Sequence, residues 1–259
     1  MKDGEFKGRT AVITGAASGM GFVASKELAK RGANVVMCDI DEARLRQEVE
    51  RVRGCEVEGC GSVIACPCDV RSYADAEAAA RTAVEAFGSI DILICFAGGA
   101  ESRILSSPHR FFEQPIEVLD WGIDVNLKGP IYFSRACMPQ MVKQRRGVIV
   151  CLGSVVGVEG DSVCTMYGAA KSGLFGFVKG LAKAGGEYGV RAVCVSPGPV
   201  MTRPGMASMA TLIGRGAEPL EVVDYILYLC SDAAGFITGT NHVVDCGHLC
   251  MTSEMMVRK

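Results

Sequence analysis

Short, almost uninterrupted apolar runs alternate along this chain with longer amphipathic segments, and that alternation restricts the fold more than any other feature. The runs Thr10–Thr14, Asn34–Cys38, Ser62–Ala65, Ile90–Cys95, Gly147–Leu152 and Arg191–Val195 read as strands, with His242–Asp245 as a last short one. Between them lie helical patterns such as Asp41–Arg53 and Tyr73–Phe87. Strands that are apolar on both sides are covered on both faces, and parallel neighbours need helical crossovers. The expectation is an α/β fold, a doubly wound parallel sheet of about seven strands with helices on both faces. At 259 residues, 49% of them hydrophobic, the chain supports one large core and leaves little for a second domain. Residues 1–259 are therefore expected to form a single domain, with 249–259 as a short methionine-rich tail.

The first strand runs directly into Thr14-Gly-Ala-Ala-Ser-Gly-Met-Gly21, and a helical pattern follows. Glycines at 15, 19 and 21 let the turn bend tightly and let backbone N–H groups approach a pyrophosphate, with the helix N-terminus adding partial positive charge. Ser18 and Met20 belong to the same turn. A glycine-rich turn alone is weak, but the strand before it and the helix after it supply the required context for a Rossmann-like site. The second strand ends at Asp39, 18 residues after Gly21. A carboxylate there accepts hydrogen bonds from ribose hydroxyls and repels a 2′-phosphate. Neither Ser18 nor Ile40 supplies a cation for that phosphate, so the cofactor is expected to be NAD. The competing reading of Asp39 is a cap for the helix that follows.

Tyr167 and Lys171 stand four apart, on one face of a helix. A phenol ordinarily titrates near ~10, and an ammonium fixed beside it draws that value toward neutrality. Such a pair makes an acid–base catalyst, although many surface helices carry one with no function.

Charge and composition exclude other classes. The formal net charge is -2, and no basic stripe suits a nucleic-acid backbone. The run Lys143-Gln-Arg-Arg146 fits a helix C-terminus. No leader-like segment begins the chain, and no charge-free apolar stretch is long enough for a membrane span, so a cytoplasmic protein is expected. Thirteen cysteines are read as reduced, small apolar residues. Cys55, Cys60, Cys66 and Cys68 cluster without a common zinc spacing, and His109, His242 and His248 show no ligand spacing either. No metal is expected.

Over Phe6 to Gly247 these residues resemble the short-chain dehydrogenase/reductase family. The family's signature is a T-G-x-x-x-G-x-G turn, an Asn, a Ser, and then Y-x-x-x-K. The Asn corresponds to Asn126, and the Ser to Ser154, thirteen residues before Tyr167. Pro197-Gly198, followed by Val200 and Thr202, resembles the family's nicotinamide-side loop. Asp69-Val70 resembles the pair that frames the adenine, and Asp245-Cys-Gly247 the C-terminal Asp-Gly-Gly. The family's Asn-Asn-Ala-Gly reads Cys95-Phe-Ala-Gly98 here. Ala97, Gly98 and Gly99 still let the backbone approach a cofactor, but the side chains that usually tie neighbouring strands are missing. The resemblance implies that Tyr167 is the acid–base group and that Lys171 lowers its pKa and holds the nicotinamide ribose. It further implies that Ser154 bonds the substrate oxygen and that Asn126 positions a relay water.

The expected activity is NAD-dependent interconversion of a secondary alcohol and a ketone. A sugar-nucleotide epimerase would show a differently spaced glycine motif and a longer C-terminal part. A catalytically silent NAD-binding protein would not need the intact Tyr and Lys. Around the expected pocket stand Glu101, Arg103, Glu159, Asp161 and Arg203 together with Met201, Met206 and Met209. The charges lean toward a sugar or polyol, while the methionines leave a steroid or a 3-oxoacyl chain open. Apolar residues on more than one face of two helices, among them Ile131, Phe133, Met138 and Met141, then Leu174, Phe175, Phe177, Val178 and Leu181, point to a homo-oligomer, expected to be a tetramer. The short segment after Thr202 predicts an open substrate site, with the tail as a candidate cover.

Overall fold

The computed structural model describes residues 4–54, 59–206 and 210–251. Seven strands form one parallel sheet: β1 (Thr10–Thr14), β2 (Asn34–Asp39), β3 (Val63–Pro67), β4 (Ile92–Cys95), β5 (Gly147–Leu152), β6 (Val190–Pro197) and β7 (Asn241–Val244). Their order is β3-β2-β1-β4-β5-β6-β7. The chain builds outward from β1 in one direction, returns, and continues from β4 in the other. The reversal opens a crevice at the carboxyl ends of β1 and β4, where ligands of such sheets bind.

Among the described residues nine α-helices and a π-helical turn accompany the sheet: α1 (Gly19–Lys30), α2 (Glu42–Arg53), α3 (Tyr73–Phe87), α4 (Glu101–Ile104), α5 (Ile116–Ile123), the π-helical turn (Asp124–Lys128), α6 (Gly129–Gln144), α7 (Val156–Glu159), α8 (Thr165–Gly185) and α9 (Pro219–Cys230). Strand residues alternate between two cores. Ala11, Ile13, Val35, Met37, Ile92, Ile94, Val193 and Val195 meet Leu28, Leu45, Val49, Ile226 and Leu227 on the face covered by α1, α2 and α9. Val12, Val36, Leu93, Ile149 and Ala192 meet Ala79, Ala83, Phe133, Met141, Leu174 and Val178 on the face covered by α3, α6 and α8. Double coverage explains why the strands carry no polar alternation.

Boundaries differ from expectation for physical reasons. β4 begins at Ile92, after Asp91, whose N donates to Thr10 O (2.8 Å), whose O accepts from Val148 N (2.9 Å) and whose carboxylate accepts from Thr10 N (2.9 Å). The helix read from Leu127 begins at Gly129, after the π turn that carries Asn126. Arg145 ends α6 in the left-handed region at φ 54°, in accord with the basic run there.

The cysteines fall into register. Cys66, Cys38, Thr14, Cys95, Cys151 and Cys194 form one rung across six strands. Cys38, Cys95, Cys151 and Cys194 are buried and serve as core residues. No group among the described residues could hold a metal ion, and Cys55 lies outside them.

Candidate active site

The glycine turn is shaped by close backbone approach. Gly15 adopts φ +67°, and a Cβ there would stand 2.7 Å from Ala97 N; at Gly21 it would stand 2.1 Å from Gly15 O. No side chain fits at either place. Ser18 is the N-cap of α1, but its side chain makes no cap bond, which leaves the first amides of the helix to a ligand, as an anion cradle requires. The Thr202 methyl lies 3.4 Å from where a Gly19 Cβ would be, which brings the β6–α9 loop over the turn.

Asp39 lies at the end of β2, with one carboxylate oxygen accepting from Ala17 N (3.0 Å) and the other from Asp41 N (3.1 Å). Asp41, not Asp39, caps α2, accepting from Arg44 N (3.1 Å). Ile40 beside it is 67% exposed and brings no charge. Asp69 is gripped by the Arg71 guanidinium, which holds its carboxyl below the usual range. Val70 packs on Gly129.

Across the crevice, Ala97 N donates to Thr14 Oγ1 (3.2 Å) and ties β4 to β1. Asn126 holds the next residues: its Oδ1 accepts from Gly99 N (2.9 Å), and its Nδ2 donates to Gly99 O (3.0 Å) and Gly122 O (2.9 Å). A Cβ on Gly98 would meet Asn126 Oδ1 at 2.5 Å. These bonds tie the loop despite Cys95 and Phe96. The side chain of Asn126 is spent on them, so a water at this residue would rest on its carbonyl.

Tyr167 and Lys171 lie in the first two turns of α8. Lys171 is only 2% exposed, and its Nζ donates to Leu152 O (2.6 Å) at the end of β5 and stands 5.4 Å from the Tyr167 ring centroid. Burial pushes its ammonium down to about 8. Burial also pushes the Tyr167 phenol up, and a hydrogen bond with Ser154 and the charges of Arg203 and Arg103 draw it back. Desolvation is the largest influence on the phenol, and Ser154 and the two arginines oppose it. Ser154 itself is nearly buried and accepts from Val156 N (3.2 Å).

Sequence reasoning placed Glu101 on the substrate rim, and the structure moves it. Glu101 is 1% exposed, and its two oxygens accept from Met166 N (2.9 Å) and Tyr167 N (3.1 Å). It supplies from 65 residues away the cap that Cys164, the N-cap of α8, does not provide. Nothing in the local pattern signals such a contact. Pro197 and Gly198 bridge β6 to its neighbours: Pro197 O accepts from Val155 N (3.1 Å), and Gly198 N donates to Val244 O (3.0 Å). Val200 pairs with Ala217 as an isolated bridge, closing the base of the loop that carries Thr202. Met209 lies outside the described residues.

A glycine cradle, a carboxylate at the end of the second strand and a Tyr–Lys–Ser group around one crevice define a nicotinamide-dependent oxidoreductase. Residues 15–248 match a family model described as enoyl-(acyl carrier protein) reductase. A trans-4-hydroxycyclohexanecarboxylate dehydrogenase from Sinomonas cyclohexanicum is 34% identical, with 92% of each chain covered. An L-rhamnose 1-dehydrogenase (NAD(P)(+)) from Azotobacter vinelandii is 31% identical over 92% of this chain and 96% of its own. A crystal structure of a 3-oxoacyl-[acyl-carrier protein] reductase from Brucella melitensis with bound NAD superposes with TM-score 0.86 at 32% identity, covering 95% of this chain and 92% of that one. The chain belongs to the short-chain dehydrogenase/reductase family. No helix among the described residues is long and apolar enough to cross a membrane.

Proposed function

We propose that the protein is an NAD(H)-dependent dehydrogenase that interconverts a secondary alcohol and its ketone on a hydroxylated substrate of sugar or polyol size. The observation that carries this reading is the convergence of Tyr167, Ser154 and Lys171 beside the crevice that Gly15, Gly21, Gly98 and Asn126 keep open. The cradle fits a dinucleotide: its shape depends on positions where any Cβ would clash. The amides at Ser18–Gly21, with Thr202 beside them, would hold the pyrophosphate, Asp39 the adenosine ribose, Val70 and Asp69 the adenine side, and Lys171 the nicotinamide ribose. When bound, the nicotinamide supplies hydride exchange at the carbinol carbon.

In oxidation, the Tyr167 oxygen receives the hydroxyl proton, and in reduction it returns one. Ser154 donates to the substrate oxygen and keeps the phenol oriented. The buried Lys171 ammonium favours the phenolate electrostatically, held in place by Leu152 O. Asn126 keeps Gly98–Gly99 clear of the ring-binding side.

Tetramer formation through α6 and α8 fits the half-buried Ile131, Met138, Phe175, Phe177 and Leu181, although Phe133, Met141, Leu174 and Val178 prove to be core of the subunit itself. Light scattering that returns a 27.4 kDa particle at micromolar concentration would refute assembly.

The activity is tested by following nicotinamide absorbance across a panel of secondary alcohols and ketones, with Tyr167→Phe as the control. No turnover anywhere on the panel, together with measurable NAD binding, would favour a silent NAD-binding protein.

A further inference from the structure

The structure divides sharply the five charged side chains expected around the pocket, Glu101, Arg103, Glu159, Asp161 and Arg203. The three acids are already used. Glu101 caps α8; Asp161 accepts from Val163 N (2.7 Å) and Cys164 N (2.9 Å); Glu159 pairs with His248 at 3.3 Å. The two cations are not. Among the described residues neither Arg103 nor Arg203 makes a side-chain hydrogen bond or an ion pair. Both are exposed.

They come from distant parts of the chain. Arg103 lies in α4, and its guanidinium leans over Gly99, where a Cβ would stand 2.9 Å from a terminal nitrogen. Arg203 follows Thr202, which packs over Gly19. The two guanidinium groups repel one another, and both charges act on the Tyr167 phenol. Like charges gathered at a catalytic group without a counter-ion are a liability for the free protein and a recognition site for an anion.

We propose that Arg103 and Arg203 clamp a carboxylate beside Tyr167, so that the substrate is a hydroxy acid and the product the corresponding oxo acid. This rests on the dehydrogenase reading of the same site. The carbinol C–H leaves as hydride to the nicotinamide, the O–H proton passes to the Tyr167 oxygen, and a C=O bond forms; the carboxylate is carried through unchanged. Guanidinium forks match a planar carboxylate with two charge-assisted bonds each. Glu101, whose two oxygens are both taken by backbone amides, is not available to a substrate hydroxyl. The relative from Sinomonas cyclohexanicum is named for an acid of this kind.

The test uses the full chain with NAD and compares kcat/KM for 4-hydroxycyclohexanecarboxylate with that for its carboxamide. The wild type should prefer the acid. In the Arg103→Leu/Arg203→Leu double variant the acid-to-amide ratio should fall roughly 10- to 100-fold, the usual worth of one or two charge-assisted bonds. Lysine at both positions should restore part of it. Calorimetry with cyclohexanecarboxylate and its carboxamide gives a second reading that needs no turnover. An unchanged ratio in the double variant overturns the clamp and leaves the dehydrogenase standing if the amide is oxidised. Weaker NAD binding with an unchanged ratio assigns the arginines to the cofactor's pyrophosphate and also overturns it. Preference for a phosphate ester over the acid overturns the carboxylate. Arginine-dependent binding of cyclohexanecarboxylate without turnover of either compound supports the clamp and defeats the reaction assigned to this substrate.

Discussion

On the β1–β2 side of the crevice, the surface that would meet a cofactor is made of backbone. Gly15 and Gly21 leave no room for a Cβ, and Asp39 is pinned by two amides. On the β6 side, the surface that would meet a substrate is made of loop side chains. Arg203 extends from the connection after β6 and faces Arg103 of α4 only through its charge, and a 3-10 turn at Pro204–Met206 and the Ala217 bridge residue stand between Thr202 and α9 among the described residues. The Tyr167–Lys171 pair lies on the boundary, on a long helix whose start is fixed by Glu101. A backbone surface recognises what all cofactors of one kind share, while a side-chain surface can change its substrate without disturbing the fold.

The sharpest way to separate the two sides is to remove the group between them. Tyr167→Phe should lower kcat roughly 10²- to 10⁴-fold in both directions, the range for a lost proton-transfer group. NAD binding by fluorescence or calorimetry should fall far less. A comparable loss of both would place Tyr167 on the cofactor side and break the division.

Asp39 tests the backbone side. At ~4 Å and an effective dielectric of ~20, its carboxylate and a 2′-phosphate repel by several kcal/mol before screening, which is orders of magnitude in affinity. Asp39→Ala should therefore weaken NAD and relieve the penalty on NADP, and adding Ile40→Arg should then favour NADP. Because Asp39 also accepts from Ala17 and Asp41 amides, the variant should lose thermal stability as well. Equal or better use of NADP by the unmodified protein would sink this role for Asp39.

Glu101 tests how the boundary is held. Glu101→Gln keeps one carbonyl acceptor for Met166 or Tyr167 N–H and loses the other, and Glu101→Ala loses both. Since catalysis needs Tyr167 placed within fractions of an ångström, kcat should fall roughly tenfold in Gln and further in Ala, with KM for NAD little moved. A KM effect that exceeds the kcat effect would reassign Glu101 to the substrate rim.

The backbone side was legible in the sequence because its requirements are residue types at fixed spacing. Gly15, Gly19 and Gly21 follow a strand, Asp39 ends the next one, and Tyr167 precedes Lys171 by one helical turn. Strand limits shifted by one or two residues at β3, β4, β6 and β7. The substrate side was hardly legible. Glu101, Glu159 and Asp161 look alike as exposed acids in the sequence, and only the fold shows that each already has a partner. The contacts that decide this span 65 residues for Glu101 with Met166 and 89 for His248 with Glu159, and no local pattern encodes them. Asn126 shows the same limit: the motif marks the residue, but its bonds to Gly99 emerge only from the π turn.

The smallest effect is expected where the C-terminal segment holds the loop over the cleft. His248 Nδ1 lies 2.8 Å from Ala210 O, Nε2 lies 3.3 Å from Glu159, and Leu212 N donates to Cys246 O (3.0 Å). This contact lies just before the tail expected to cover the site from Leu249, of which 252–259 fall outside the described residues. Burial opposes charging His248, but Ala210 O, Glu159 and Asp245 prevail and raise its imidazole above its ordinary value. A raised folded value means that the protonated form is the one the native state favours. Its contribution is fully present below about 6.5, the ordinary imidazole value, and is lost as pH rises through the raised one. Amide hydrogen exchange near Ala210–Gly214 should therefore quicken on the alkaline side of that window, by a modest factor because the pair is partly solvated. In His248→Gln, which keeps a donor but cannot titrate, the pH dependence should flatten. If Glu159→Gln leaves the wild-type pH dependence intact, the loop is held by the Ala210 contact alone, and the substrate side is tied by backbone after all, as the cofactor side is.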